Sequence, residues 1–154
     1  MQIWPNKKDL HGIDHMTTTN YNLFLDDTRF PWDVTWVNLP KQVAWTVVRD
    51  FREFVRTIDE LGIPTFVTFD HDLCWEHMRD YFKVCEIEDQ ILNPLKFEYD
   101  KYSELTGYHC AIYMKKKCAE LGIGIPPFQV HSKNHIGVRN IRTVLQSQTK
   151  GILP

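Results

Sequence analysis

Long apolar runs are missing from this sequence. No segment approaches the roughly 20 consecutive apolar residues needed to cross a bilayer, so no membrane-spanning segment is expected. The opening stretch, MQIWPNKKDLHGIDHM, also lacks the continuous apolar core of a secretory signal. An excess of charge of one sign is missing too: 18 Lys and Arg stand against 20 Asp and Glu, a net charge of −2. That balance leaves no overall field to gather nucleic acid or an anionic membrane surface, and a polyanion would need a local patch. The four cysteines, Cys74, Cys85, Cys110 and Cys118, form no CxxC pair. Reduced thiols in the cytoplasm are therefore expected, with no disulfide framework. There is no internal repeat and no low-complexity tract.

What is present is an ordinary globular composition, 43% hydrophobic and 25% charged, in a chain of 154 residues. That suffices for one domain with a sizeable single core. Met16 opens MTTTNYNLFLDD like a start in its own right, so residues 1–18 are expected to be an extension and 19–154 the domain.

Along the chain, apolar strand-like runs alternate with helical periods. NLFLDD (Asn22 to Asp27), AWTVVRD (Ala44 to Asp50), TFVTFD (Thr65 to Asp70) and PPFQVHS (Pro126 to Ser132) read as strands. FREFVRTIDELG reads as a helix capped by Asp50 and stopped by Gly62, with Phe51, Phe54, Val55, Ile58 and Leu61 on one face. TGYHCAIYMKKKCAELG reads as a second helix capped by Thr106, with Ala111, Ile112, Met114, Cys118 and Leu121 as its apolar positions. KNHIGVRNIRTVLQSQ is the last, with Ile136, Ile141 and Leu145 toward the core. RFPWDVTWVNLPK, with two prolines and no helical period, is an excursion, so the first crossover lacks a regular helix. Residues 74–103 are an insertion with some helix. The alternation predicts an α/β fold, an open parallel sheet of about four to five strands with helices on both faces.

The polar residues fall at strand ends. Asp26-Asp27, Asp70-His71-Asp72 and His131-Ser132 each close a strand, and in an open parallel sheet those ends share the edge where ligands bind. Clustered carboxylates repel unless a cation lies between them, and hard oxygen donors suit Mg²⁺ or Mn²⁺. The helices opening near Thr106 and Lys133 aim free N–H groups at the same edge, and Arg29, Lys133 and Arg139 are cations within reach of a bound phosphate. The combination points to phosphoryl chemistry.

At these residues the chain resembles a known family. LFLDDTRFP, TFDHDL, TGY and VHSKNHIG together are similar to the cyclic-phosphate-processing receiver domain, a divergent relative of response-regulator receivers, from about Asn22 to Leu145. The resemblance implies a receiver- or flavodoxin-like fold and processing of cyclic phosphates on nucleotides or RNA ends. It assigns Asp26 and Asp27 to a divalent cation, Asp70 to the central acid of the third strand, and Ser132 to phosphate contact. His71, Asp72, His131 and Asn134 match the positions that set this family apart from signalling receivers. Three features depart from the pattern: His135 stands where proline is expected, the 74–103 segment is long, and Lys133 sits beside the hydroxyl residue.

Taken together, the expectation is a metal-dependent phosphoesterase. Asp26, Asp27, Asp70 and Asp72 would hold Mg²⁺ or Mn²⁺. Asp70, His71, His131 and Ser132 would be catalytic, and Arg29, Thr106, Lys133 and Asn134 would bind the phosphate. Simpler readings stand beside it. Asp26-Asp27 can cap a turn, Asp70 or Asp72 can cap a helix starting near Leu73, His131 can be a hydrogen-bonded core histidine, and Arg29 can pair with Asp27. His71, Cys74 and His77 have a spacing that invites zinc. Trp32, Trp36, Trp45, Phe97 and Tyr99 can stack on bases or simply pack. The alternatives to an enzyme are a module that sequesters a cyclic nucleotide or phosphate, and a phosphoacceptor receiver built on Asp70.

Overall fold

Among the described residues, four short strands, each too brief to be stable alone, find partners in one parallel sheet. A computed structural model of the protein describes residues 20–87 and 98–152. The strands are β1 (Asn22–Leu25), β2 (Trp45–Val48), β3 (Phe66–Phe69) and β4 (Phe128–Val130), in the spatial order β2-β1-β3-β4. The helices among the described residues are α1 (Phe51–Leu61), α2 (Trp75–Ile87), α3 (Gly107–Leu121) and α4 (His135–Ile152). The sheet and the alternation are those expected. The proposed extension over 1–18 lies outside the described residues. The 74–103 segment contributes α2 and a 3₁₀ turn at Tyr99–Lys101, and its middle lies outside the described residues.

Alternation along the strands sorts the side chains. Leu23, Leu25, Val48, Val67, Phe69 and Val130 are buried in one core with Phe54 and Ile58 of α1, Met114 and Cys118 of α3, and Ile141 and Leu145 of α4. Helix contacts run from α1 to α3 to α4. Ile112 and Leu121, expected among the apolar positions of α3, are exposed; the buried set is Cys110, Ala111, Met114 and Cys118. These sit at i, i+1, i+4 and i+8, one stripe of the helix, which leaves Ile112 and Leu121 off it.

The caps are as the sequence reads. Asp50 accepts the Glu53 N–H at 2.8 Å at the start of α1, and Gly62 ends it at φ 90°, a conformation that favours glycine. Thr106 accepts the Tyr108 N–H at 3.1 Å at the start of α3. The connection from β1 to β2 contains a 3₁₀ turn, Pro31–Asp33, and no α-helix. It reaches across to β4, where Gln129 donates to the Asn38 carbonyl at 3.4 Å and the Trp36 indole donates to the His131 carbonyl at 2.7 Å.

Register places the site. Leu25 pairs with Val48 and Phe69, and Phe69 with Val130. One residue beyond each of these matched ends stand Asp26, Arg49, Asp70 and His131, a row across the carboxyl edge of the sheet. The ladder extends into the row, with Asp70 N donating to Leu25 O at 2.9 Å and His131 N to Phe69 O at 2.9 Å.

Candidate functional site at the carboxyl edge of the sheet

Asp26, Asp27 and Asp70 bring carboxylate oxygens within 4.8 Å of one another. Asp26 is fully buried and saturated with donors. One oxygen accepts the backbone N–H groups of Thr28 and Arg29 at 3.0 and 2.8 Å; the other takes the Arg29 guanidinium at 3.0 Å and His131 Nε2 at 2.9 Å. Burial pushes its pKa up, but the His131 bond and the two backbone N–H groups outweigh it and bring the group down to about 2. Asp26 therefore fixes the turn that follows β1. The turn-capping reading is correct for this residue, beside any role with a cation.

Asp70 is the opposite case. Burial, then the charges of Asp26 and Asp72, hold its pKa well above the usual carboxylate value. Burial and the Asp26 charge also raise Asp27. Arg29 sits between Asp26 and Asp70, 3.9 Å from the latter; it pairs with these two acids. The negative charge is thus only partly compensated, which is the condition a hard divalent cation relieves, and the oxygen donor set fits Mg²⁺ or Mn²⁺. Asp27 and Asp70, less encumbered than Asp26, are the side chains best able to hold one.

Both histidines are sealed from solvent. His131 donates from Nε2 to Asp26, while Nδ1 accepts the Thr68 hydroxyl at 2.8 Å; its ring stacks on Phe24 at 4.7 Å. Burial lowers its pKa despite Asp26, so the imidazole is neutral with its proton on Nε2. His71 Nδ1 lies 2.6 Å from Asp72 Oδ1, and Nε2 lies 2.8 Å from the Tyr99 hydroxyl. Asn134 donates to the same Asp72 oxygen at 3.0 Å, and Asn140 donates to the Tyr99 oxygen at 2.8 Å. Each histidine therefore stands behind a carboxylate and orients it, as outer partners orient ligands in metal sites.

Two glycines permit this closeness. A Cβ on Gly107 would lie 1.8 Å from the Asp70 carbonyl oxygen, and one on Gly137 would lie 2.3 Å from the His71 ring. Without side chains, α3 and α4 press their first turns onto the strand end.

The remaining expected residues are spread around the cluster. Ser132 Oγ accepts the Asn134 N–H at 3.0 Å, and Asn134 Oδ1 in turn accepts the Gly137 N–H at 2.8 Å, capping α4. Thr106 is fully buried and occupied with its cap, and the Gly107 N–H donates to the His71 carbonyl at 2.9 Å. The first turn of α3 is thus spent on the protein itself. Lys133 lies over the Trp36 ring at 4.2 Å and Arg29 at 5.1 Å, so one indole carries two cations at the rim.

Helix capping at Leu73 does not occur through Asp70 or Asp72. Asp70 accepts the His71 N–H and Asp72 takes His71 and Asn134, while α2 begins at Trp75. The set of His71, Cys74 and His77 does not assemble for zinc either. His71 faces Asp72 and Tyr99. His77 is used on both sides, Nδ1 accepting from Leu73 N at 2.8 Å and Nε2 donating to Glu104 O at 2.7 Å.

Thr68 and Asn140 were not among the expected site residues, and Trp36 and Tyr99 were expected only as base-stacking or packing aromatics, not as partners of the two histidines. Thr68 had a readable signal, a hydroxyl in the middle of a strand otherwise buried. The others come from a loop, the insertion and a helix interior, where nothing in the spacing marks them.

An open parallel sheet with acids, an arginine and a hydroxyl at its carboxyl edge defines a receiver-like α/β domain. The chain belongs to the cyclic-phosphate processing receiver domain family, whose model matches residues 21–147. No curated protein and no solved structure matches the chain. Family membership ties the domain to cyclic-phosphate processing. Among the described residues, no helix is long and apolar enough to cross a membrane.

Proposed function

We propose that the domain is a metal-dependent phosphoesterase acting on the cyclic phosphate of a nucleotide or an RNA end. The observation that carries this is the partly compensated acid cluster: Asp26, Asp27 and Asp70 converge at the sheet edge with one guanidinium between two of them. Asp27 and Asp70 would hold Mg²⁺ or Mn²⁺, with Asp26 anchoring the turn. A bound cation would supply positive charge to polarise the phosphoryl oxygens.

In ring opening, a water oxygen bonds to phosphorus and the endocyclic P–O bond breaks; the released ribose oxygen gains a proton and the water loses one. Arg29 and Lys133 attract the anionic phosphoryl group, and the Ser132 hydroxyl, whose oxygen already accepts from Asn134, donates to it. Asp72, backed by His71 and Asn134, takes the proton from water. His71 and His131 act through the carboxylates they orient. The described thiols, Cys74, Cys110 and Cys118, are free, which suits a reducing cytoplasmic setting.

A second reading is a module that binds the same ligand without chemistry. It is favoured by one observation: neither imidazole presents a ring nitrogen to solvent as a proton shuttle. Phosphorus NMR of 2′,3′-cyclic AMP with protein and Mn²⁺ or Mg²⁺ separates the two. Conversion to a 2′- or 3′-monoester supports the phosphoesterase. Tight binding with unchanged cyclic ligand recovered supports the module. Neither binding nor conversion of 2′,3′-cyclic nucleotides, 3′,5′-cyclic nucleotides, cyclic dinucleotides or RNA ends sinks both.

A further inference from the structure

A groove of about 1100 Å³ runs between the β1–β2 connection and the outward residues of β2, and its wall includes Arg49, which follows β2 in the row at the sheet's carboxyl edge. Trp32, Phe30, Trp45 and Val47 line it, with Arg49 and Gln42 among its polar groups. Trp32 is 74% exposed and Phe30 40%. An exposed indole of this size leaves much apolar area in water, a cost that a ligand removes.

The two rings are not scattered surface aromatics. They lie parallel, 2° apart in plane and 4.9 Å between centroids. The Arg49 guanidinium carbon sits 4.5 Å over the Phe30 ring, and Arg49 Nη1 donates to the carbonyls of Asp26 and Arg29 at 2.9 and 2.6 Å. One arginine thereby ties the aromatic stack to the turn that carries the acids and Arg29. Gln42, in the groove wall, has φ 57°, and no other non-glycine among the described residues has positive φ. Strained backbone of this kind concentrates at ligand sites.

We infer that the Phe30–Trp32 stack is a nucleobase subsite, with a base extending the stack in the groove while its cyclic phosphate lies at Arg29 and the acid cluster. An indole left 74% exposed on a stacked partner suits another flat ring, and a base gains by stacking whatever its identity. The groove has the size of a nucleotide-scale pocket. Phe30 already carries Trp32 and the Arg49 guanidinium, so the exposed ring that receives the base is Trp32, three residues after Arg29 in the same β1–β2 connection. The subsite rests on the cyclic-nucleotide reading above and narrows it: the substrate carries a base, and purines, with the larger face, bind better than pyrimidines.

The test compares 2′,3′-cyclic AMP with base-free 1-O-methylribose 2,3-cyclic phosphate, using the full chain, its Trp32→Ala variant and its Trp32→Phe variant. Affinity is read by calorimetry where the ligand is stable and as KM where it turns over. The wild type should prefer the nucleotide by on the order of tenfold to a hundredfold. Trp32→Ala should lose that preference without changing the base-free affinity, and Trp32→Phe should keep part of it. Base-dependent binding without ring opening upholds the subsite while removing the hydrolase reading. Equal affinity for the two probes, unchanged preference in Trp32→Ala, or no binding of either probe overturns the subsite.

Discussion

His131 Nε2 lies 2.9 Å from Asp26 Oδ2, two fully buried side chains separated by 105 residues of sequence. The bond joins the ends of β1 and β4 across the intervening β3, and it keeps the first acid of the cluster ionised. His131→Phe keeps the ring stacked on Phe24 but removes both of its hydrogen bonds. The variant should lose about 1.5–3 kcal/mol in urea denaturation, because Asp26 and Thr68 each lose a buried partner. A loss below about 0.5 kcal/mol would mean that the pair contributes little.

Gly107 and Gly137 should tolerate alanine poorly, for a packing reason and not a conformational one. Gly107→Ala would drive a methyl into the Asp70 carbonyl, which is backbone and cannot step aside; Gly137→Ala would meet the His71 ring. Overpacking costs about 1–3 kcal/mol. Each variant should also weaken Mn²⁺ binding followed by electron paramagnetic resonance, since the displaced groups adjoin Asp70 and Asp72. Wild-type stability in both variants would contradict this packing.

Acid should destabilise the protein through His77. Burial holds its pKa below the ordinary imidazole value. Below about pH 6.5 the unfolded chain takes up a proton that the folded imidazole refuses until lower pH, so the unfolded state binds more protons and stability falls. The contribution is whole above about pH 6.5 and is lost as the pH drops through the folded pKa. His109 and His131 are shifted in the same direction. Melting temperatures measured between about pH 7.5 and 5.5 should fall with acid, and His77→Gln, which preserves a donor and an acceptor, should flatten the slope. An unchanged slope would remove His77 from the account.

Tyr99→Phe should separate support of the site from stability of the fold. The phenol contacts His71 and Asn140, and its ring stacks on Tyr108 at 4.1 Å. The variant keeps the stack and loses the hydroxyl, costing about 1–3 kcal/mol. With His71 no longer held from Nε2, Asp72 is left with Asn134 as its one firmly held partner, and turnover should fall with KM little changed. Full turnover would confine Tyr99 to packing.

Much of this arrangement was legible in the sequence because it depends on local rules. Strand ends reveal themselves by an apolar run stopping at an acid, and Asp50, Gly62 and Thr106 are caps that act within a few residues of their own position. The parallel register then brings Asp26, Asp70 and His131 into one row. What could not be read was the direction each imidazole faces. A histidine after a strand looks the same whether it meets solvent or turns back onto Phe24 and Thr68, and only the packed sheet decides. The partnership of Trp36 with His131 and of Tyr99 with His71 needs a loop and an insertion to fold across the edge, which no spacing encodes. Arg29 was read as a phosphate contact or as a partner of its neighbour Asp27, and the turn that Asp26 caps aims the guanidinium at Asp26 and Asp70.

Asp70→Asn tests the central claim most directly. The substitution keeps the shape of the side chain and removes a buried charge held unfavourably by Asp26 and Asp72, so the metal-free fold should be at least as stable as the wild type in urea. Wild-type protein with Mn²⁺ should convert a 2′,3′-cyclic nucleotide to its monoester, stop on chelation and recover when the ion is restored. The variant, though folded, should show no turnover by chromatography and phosphorus NMR. Undiminished product from Asp70→Asn, or turnover indifferent to chelation, would contradict a metal-dependent site at this acid cluster.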